Sequence, residues 1–148
     1  MKNLDSLWMA HEQLLVTRLS GDATIADIEK WKTSLYTALD AISQGTKFKI
    51  LVDLFGFTAI NVEAHKRFRE IVPRTLAQYG WRVGYLEMFE EASELRLGLK
   101  GGIRCTAAAH VHQDATKIEK YQSLYGTGRE QFFTDPLQAR EWIAQLAV

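Results

Sequence analysis

The clearest pattern in the chain is an apolar run at Phe48–Phe55, which ends in Asp53 and Leu54 and is followed by Gly56. Both faces of the run are largely apolar, which is typical of a strand that helices cover on both sides of a parallel sheet. The glycine after it indicates a turn into the next element. We therefore predict a central buried strand here.

Helical patterns lie on both sides of this strand. Apolar residues recur every three or four positions at Thr24–Ser43 and again at Asn61–Tyr79, so each segment is predicted to bury one stripe. Thr24 with Asp27 resembles a capping box, and Asn61 is a favourable N-cap residue. Pro73 lies inside the second pattern and predicts a kink or two short helices.

The remaining elements follow from shorter patterns. An opening hairpin is predicted at Leu4–Ala10 and Gln13–Ser20. Further strands are predicted at Trp81–Phe89, Ile103–Val111 and Gln131–Thr134. Two further helices are predicted at Thr116–Tyr125 and from Asp135-Pro136 onward. Thr116 with Glu119 forms a second candidate capping box, while Glu90–Gly102 fits either an extended segment or a helix. The order predicts one α/β domain over residues 1–148, with a mixed sheet (an antiparallel hairpin, then parallel strands) and about four helices.

Composition narrows the function classes. The chain has 18 acidic and 18 basic residues and no basic excess, which argues against nucleic-acid binding. Its single cysteine, Cys105, excludes an internal disulfide, suits a reducing cytosol and fits an inert core residue better than a nucleophile. We expect no signal peptide and no transmembrane segment, and therefore a cytoplasmic protein.

Three segments carry a family resemblance. Leu14–Trp31, Phe48–Phe57 and Gln131–Ile143, in that order, resemble the opening strand and helix, the central strand, and the final strand and helix of the SpoIIAA-like branch of the STAS superfamily. That superfamily is related in fold to CRAL–TRIO lipid-binding domains. The resemblance implies a non-enzymatic module that acts through protein contacts or by self-association.

One site departs from that family. Anti-sigma-factor antagonists of the superfamily carry a phosphorylated serine at the start of the helix after the central strand. The matching positions here are Val62 and Glu63, preceded by Asn61, and the nearest hydroxyl is that of Thr58. The resemblance therefore does not extend to a phosphorylation switch of the usual kind.

His110, His112 and Asp114 form the sharpest polar cluster. Residues two apart on a strand point to one face, and ligands of open α/β sheets bind at the carboxyl ends of the strands. The two histidines with Asp114, and with His65 as the nearest fourth candidate, are therefore a possible metal or catalytic set. The alternative is that the histidines are structural and that Asp114 caps the next helix.

Three further residues are candidate cleft or turn residues: Asp53, Thr58 and Asn61. Asp53 is either a base in a cleft or an acceptor for backbone N–H groups of the following turn, and the second role is the more common. No residue is assigned a catalytic role by its pattern, and no cofactor is specified.

Three function hypotheses follow. The first is the STAS-like module, with a homodimer formed through a sheet edge or through Tyr85–Leu99, or with a protein partner. The second is a small-molecule or lipid-binding domain, which a deep apolar pocket would favour. The third is a metal-dependent enzyme that uses His110, His112 and Asp114, which convergence of these side chains would favour.

Overall fold

A computed structural model of the chain describes residues 2–88 and 95–148. Their main feature is a five-stranded sheet in the order β1-β2-β4-β6-β7, beside a small two-stranded sheet formed by β3 and β5. The strands are β1 Leu4–Met9, β2 Leu14–Leu19, β3 Gly21–Ala23, β4 Lys47–Asp53, β5 Phe57–Ala59, β6 Arg104–Val111 and β7 Glu130–Phe133. The helices are α1 Ile25–Asp40, α2 Val62–Ala77, α3 Ala115–Tyr125 and α4 Pro136–Gln145.

The large sheet is mixed. β1 and β2 pair antiparallel, whereas β2 with β4, β4 with β6, and β6 with β7 pair parallel. This topology and the four helices of the described residues confirm the predicted α/β fold class. Because β4, β6 and β7 are parallel, their carboxyl ends lie at one edge of the sheet, where side chains from distant parts of the sequence meet.

Helices cover both faces of the sheet. The larger core packs α1 and α2 against one face, and its centre is Trp31, whose indole Nε1 donates a 2.7 Å hydrogen bond to Thr17. The smaller core packs Ala139 and Ile143 of α4 against Ala107, Ala109 and Val111 of β6. Burial on both faces explains why the middle residues of these strands, 50–52 of β4 and 107–109 of β6, are apolar.

Most helix ends form as their sequences predict. Thr24 and Asp27 make both hydrogen bonds of the capping box, and Asn61 accepts a 2.8 Å hydrogen bond from the Ala64 N–H. The Thr116 capping box is wrong: α3 begins at Ala115, and its cap is Asp114, which accepts from the Lys117 N–H. Asp114 is placed one residue before the helix, so its carboxylate reaches the free N–H groups.

Two other predictions need correction. Pro73 does not divide its segment, because Val62–Ala77 is one continuous helix in which Ile71, Val72 and Leu76 are held in the core. Trp81–Phe89 is not a strand: Gly84–Met88 form a 3₁₀-helix, and Phe89 lies outside the described residues. The apolar side chains at 83 and 86 are buried in the larger core instead of in a further strand of the sheet.

The segment at 90–102, for which the sequence left two conformations open, is described only from residue 95. Leu99 forms an antiparallel bridge with Tyr79, and a 3₁₀-helix follows at Lys100–Gly102. The strands β3 and β5 have three residues each, which is too short for a periodic signal, and they were not predicted. In the described ranges, no helix combines the length and apolar character needed to cross a membrane.

Candidate ligand-binding cleft

A cleft lies between α2, α3 and the carboxyl ends of β4 and β6. Its deeper part, the inner chamber, is a cavity of about 110 Å³. Its walls are mainly apolar, with side chains from the sheet and from both helices: Val52, Leu54, Phe68, Val72, Ile118 and Phe132. An apolar chamber at the carboxyl ends of parallel strands is where open α/β sheets place ligands.

The chamber adjoins a larger open cavity, the vestibule, of about 490 Å³. The vestibule is lined by the start of α2, at Asn61 and Val62, and by the start of α3, at Asp114. Four residues line both cavities: His65, Phe68, His112 and Lys117. These four, the junction residues, connect an apolar interior with a polar mouth.

His110 is held by a buried carboxylate. Its Nε2 atom lies 2.8 Å from Oε2 of Glu130, and the two residues are only 6% and 3% exposed. The register of β6 and β7 places Glu130 beside Ala108 and Phe132 beside His110. The other carboxylate oxygen, Oε1, accepts a 3.0 Å hydrogen bond from the Gly84 N–H. The pair therefore ties β6, β7 and the 3₁₀-helix together at the wall of the chamber.

Aromatic rings surround His110. Phe132 stacks on its imidazole at 4.7 Å, and Tyr85 meets it edge-on at 5.5 Å. Tyr121 of α3 stacks on Tyr85 at 5.6 Å and meets Phe132 edge-on. Burial raises the pKa of the Tyr85 phenol, so Tyr85 contributes to this wall as a neutral group. The wall offers ring faces and edges to any ligand in the chamber.

The junction is electropositive in character. Burial and then the nearby Lys117 lower the pKa of both His65 and His112, and burial lowers that of Lys117 itself. The Nδ1 atom of His112 accepts a 3.1 Å hydrogen bond from the Asp114 N–H, which leaves the proton of the neutral ring on Nε2. At neutral pH the junction therefore carries the Lys117 charge and two imidazoles that resist protonation.

The predicted site residues fall into two groups. His65, His110 and His112 all line the inner chamber, as the period-two spacing predicts for the last two. Asp114, Asn61 and Thr58 line the vestibule instead. There Asp114 and Asn61 cap α3 and α2, and the Thr58 hydroxyl donates to Asp22.

Asp53 has the turn role that its position favoured. Its Oδ1 atom accepts a 3.0 Å hydrogen bond from the Phe55 N–H. It does not line either cavity.

Cys105 is buried in β6, and burial raises the pKa of its thiol, which agrees with an unreactive core residue.

A metal set is not assembled by these residues. Within residues 2–88 and 95–148, no group of three or more His, Cys, Asp or Glu side chains is arranged to hold a metal ion. His110 Nε2 is bonded to Glu130, and the Asp114 carboxylate is bonded to the helix that it caps. The described part of the chain thus gives the metal-enzyme hypothesis no ligand set.

Sequence reasoning did not single out Glu130, Lys117, Tyr85 or Tyr121. One feature of the sequence could have drawn attention to Glu130: it is a charged residue at the start of a short aromatic strand. Phe132 of the same strand lines the inner chamber. Comparison with protein-family models, with curated proteins and with solved structures gave no match.

Proposed function

We propose that this protein is a binding module for a small amphipathic molecule, whose apolar part occupies the inner chamber and whose polar part lies in the vestibule. The observation that carries the proposal is the continuity of the two cavities through the junction residues. Ligand sites are typically apolar clefts with a few convergent polar groups.

The dimensions indicate the size of the apolar part. An engineered apolar cavity of about 150 Å³ binds benzene, so a chamber of about 110 Å³ suits a short alkyl chain or a small ring. A longer molecule would extend through the junction into the vestibule, which is more than four times larger (about 490 against about 110 Å³).

The proposal is tested by titrating the protein with octanol and with octanoate under heteronuclear NMR. We expect shift changes centred on the chamber walls at Leu54, Ile118 and Phe132. Absence of saturable binding by either compound, or changes confined to the outer surface, would contradict the proposal. Native mass spectrometry of the freshly purified protein adds a search for a copurified ligand.

A matched pair of variants locates the site. Leu54→Trp adds bulk to the chamber, whereas Leu124→Trp makes the same change on α3 at a side chain that is 60% exposed and lines neither cavity. We expect Leu54→Trp to weaken binding by at least about tenfold, or about 1.4 kcal/mol, and Leu124→Trp to leave it unchanged. If both variants bind like the original chain, the ligand occupies another site.

The family of the protein, its cellular location and its oligomeric state are further proposals. The order of elements supports a STAS-like module of the SpoIIAA-like branch, and the neutral net charge with a single cysteine supports a cytoplasmic protein. Self-association is supported by the position of β1, an edge strand whose Leu7 side chain is 59% exposed. A protein partner and a bound small molecule are compatible, since the cleft lies at the other side of β4 from β1.

A further inference from the structure

The inner chamber and the vestibule meet at a point where cationic and N–H-bearing side chains outnumber acidic ones. His65 of α2, and His112 and Lys117 beside it, line both cavities. The one carboxylate among the described residues that line the vestibule is Asp114, and its Oδ1 atom already accepts from the Lys117 N–H. A ligand that passes through the junction must present a group that suits these side chains.

We propose that the ligand is an amphipathic carboxylate, whose anionic head binds Lys117 and His65 at the junction, beside His112, while its apolar part fills the inner chamber. This inference rests on the proposed binding function and adds the chemical class of the ligand. It concerns a head group that the chain binds, and it involves no covalent step.

Lys117 is available for such a head group. Among the residues that the structure describes, no ion pair involves Lys117. Its Nζ atom lies 5.6 Å from the ring centre of Tyr121, which fixes the side chain beside the chamber wall. Burial lowers the pKa of Lys117, and the charge of the Asp114 carboxylate opposes this in part. A partly buried ammonium group is further stabilised when an anion binds to it directly.

The charge at the junction favours an anionic head group. Burial and then the charge of Lys117 lower the pKa of both histidines, and Arg69 lowers that of His65 further, so the imidazoles are mainly neutral N–H donors at neutral pH. Asp114 and the Phe57 backbone act in the opposite direction on His112. The Lys117 ammonium group and the neutral N–H donors of the junction match a carboxylate head, and Arg69, which lines the inner chamber, adds a second positive charge near it.

The amino ends of two helices add to this preference. Asn61 caps α2 and Asp114 caps α3, and both residues line the vestibule, so the positive ends of two helix dipoles lie near the same space. Their effect is secondary to that of the side chains, because each cap already satisfies one N–H group of its helix.

The test compares three ligands of equal chain length: octanoate, octanol and octylamine. We expect octanoate to bind at least about tenfold more tightly than octanol, and octylamine to bind more weakly than both. If octanol binds as well as octanoate, the anionic head is wrong while the binding function stands. If none of the three binds, the binding function itself fails.

Variants on α3 identify the group responsible. Lys117→Met should remove the preference for octanoate over octanol, because it keeps an apolar stem and removes the charge. Lys120→Met, an exposed position on the same helix, is the matched control and should retain the preference. A preference that survives Lys117→Met would overturn the assignment.

The pH profile gives an independent readout. An anion at the junction raises the pKa of His65 and His112, so octanoate affinity should increase as the pH falls from about 7.5 towards about 6. Octanol affinity should not follow this trend. A flat octanoate profile in that range would show that the head group lies away from the histidines.

Discussion

The Nε2 atom of His110 lies 2.8 Å from Oε2 of Glu130, and both side chains are buried. The two residues are 20 positions apart in the sequence and meet because β6 and β7 are neighbouring parallel strands. Glu130 also accepts from the Gly84 N–H, so one carboxylate fixes three parts of the chamber wall. This arrangement makes Glu130 important for stability.

Glu130→Ala should lower the free energy of unfolding by about 2–5 kcal/mol, because it leaves His110 and the Gly84 N–H without their buried partner. Urea denaturation followed by circular dichroism measures the change. Glu119→Ala, at an exposed position on α3, is the control and should change the free energy by less than about 0.5 kcal/mol. Equal effects of the two substitutions would show that the buried pair adds nothing to stability.

Gly84 permits the close approach of the 3₁₀-helix to the sheet. A Cβ atom at this position would lie 2.9 Å from Cβ of Tyr125 and 3.3 Å from Oε1 of Glu130. Gly84→Ala should therefore cost about 1–3 kcal/mol through overpacking, as measured by urea denaturation.

The control for this substitution is Gly128→Ala, because a Cβ atom at Gly128 would have nothing within 4 Å. We expect that variant to unfold like the original chain. If Gly84→Ala is equally harmless, the 3₁₀-helix must be able to move away from Tyr125 without loss of stability.

Lys49 joins the central strand to the end of α4. Its Nζ atom donates to the carbonyl groups of Ile143 at 2.9 Å and Leu146 at 2.8 Å, although the residue is only 3% exposed. Lys49→Met should lower the free energy of unfolding by about 1–3 kcal/mol, because these carbonyl groups lose their donor. Hydrogen exchange should become faster in α4, and an unchanged exchange rate there would contradict this role.

The same residue predicts a pH effect. Burial lowers the pKa of Lys49, so the folded state binds fewer protons than the unfolded state between that pKa and about 10.4. The stability advantage of the original chain over Lys49→Met should therefore increase as the pH rises from about 8 to about 10. Paired melts of the two proteins across this range measure this advantage. An advantage that decreases as the pH rises would contradict a lowered pKa for Lys49.

His65 and His112 predict a second pH effect, at lower pH. Their lowered pKa values mean that the unfolded state protonates first, so their contribution to stability is lost as the pH falls through about 6.5 towards the folded-state values. The double variant His65→Gln/His112→Gln should show a flatter profile between about pH 7 and about pH 5.

The Asp27 carboxylate titrates in a lower range. Lys2 and the Thr24 N–H lower the pKa of Asp27 to about 2, so its contribution is lost only below about pH 4. The two ranges are therefore separable in one series of melts. Identical slopes for the double variant and the original chain above about pH 5 would show that neither histidine has a shifted pKa.

A homodimer remains our prediction for the oligomeric state. The edge strand β1 leaves one side of its backbone open for pairing and exposes Leu7, which suits a symmetric contact between two copies. Light scattering should give twice the chain mass of 16.9 kDa, and Leu7→Lys should reduce it towards that of one chain. A mass of 16.9 kDa at all concentrations would exclude the dimer.

Local patterns alone determined much of this protein. Thr24, Asn61 and Asp135 act as N-caps because capping depends on groups within three residues, which the sequence displays directly. The apolar run of β4 and the alternation at His110 and His112 likewise follow from strand geometry. The fold class and the side of β6 that faces the chamber were therefore predictable.

The contacts within the cleft depend on the strand order and on the packing of the helices. Glu130 meets His110 only because β7 pairs with β6, and Lys117 comes near His65 only because α2 and α3 cover the same end of the sheet. Residues 84–88 form a 3₁₀-helix rather than a strand, and their Gly84 N–H donates to the side chain of Glu130 on β7. Such contacts join residues far apart in sequence, and no local period encodes them, so only the tertiary structure could establish the cleft and its charge.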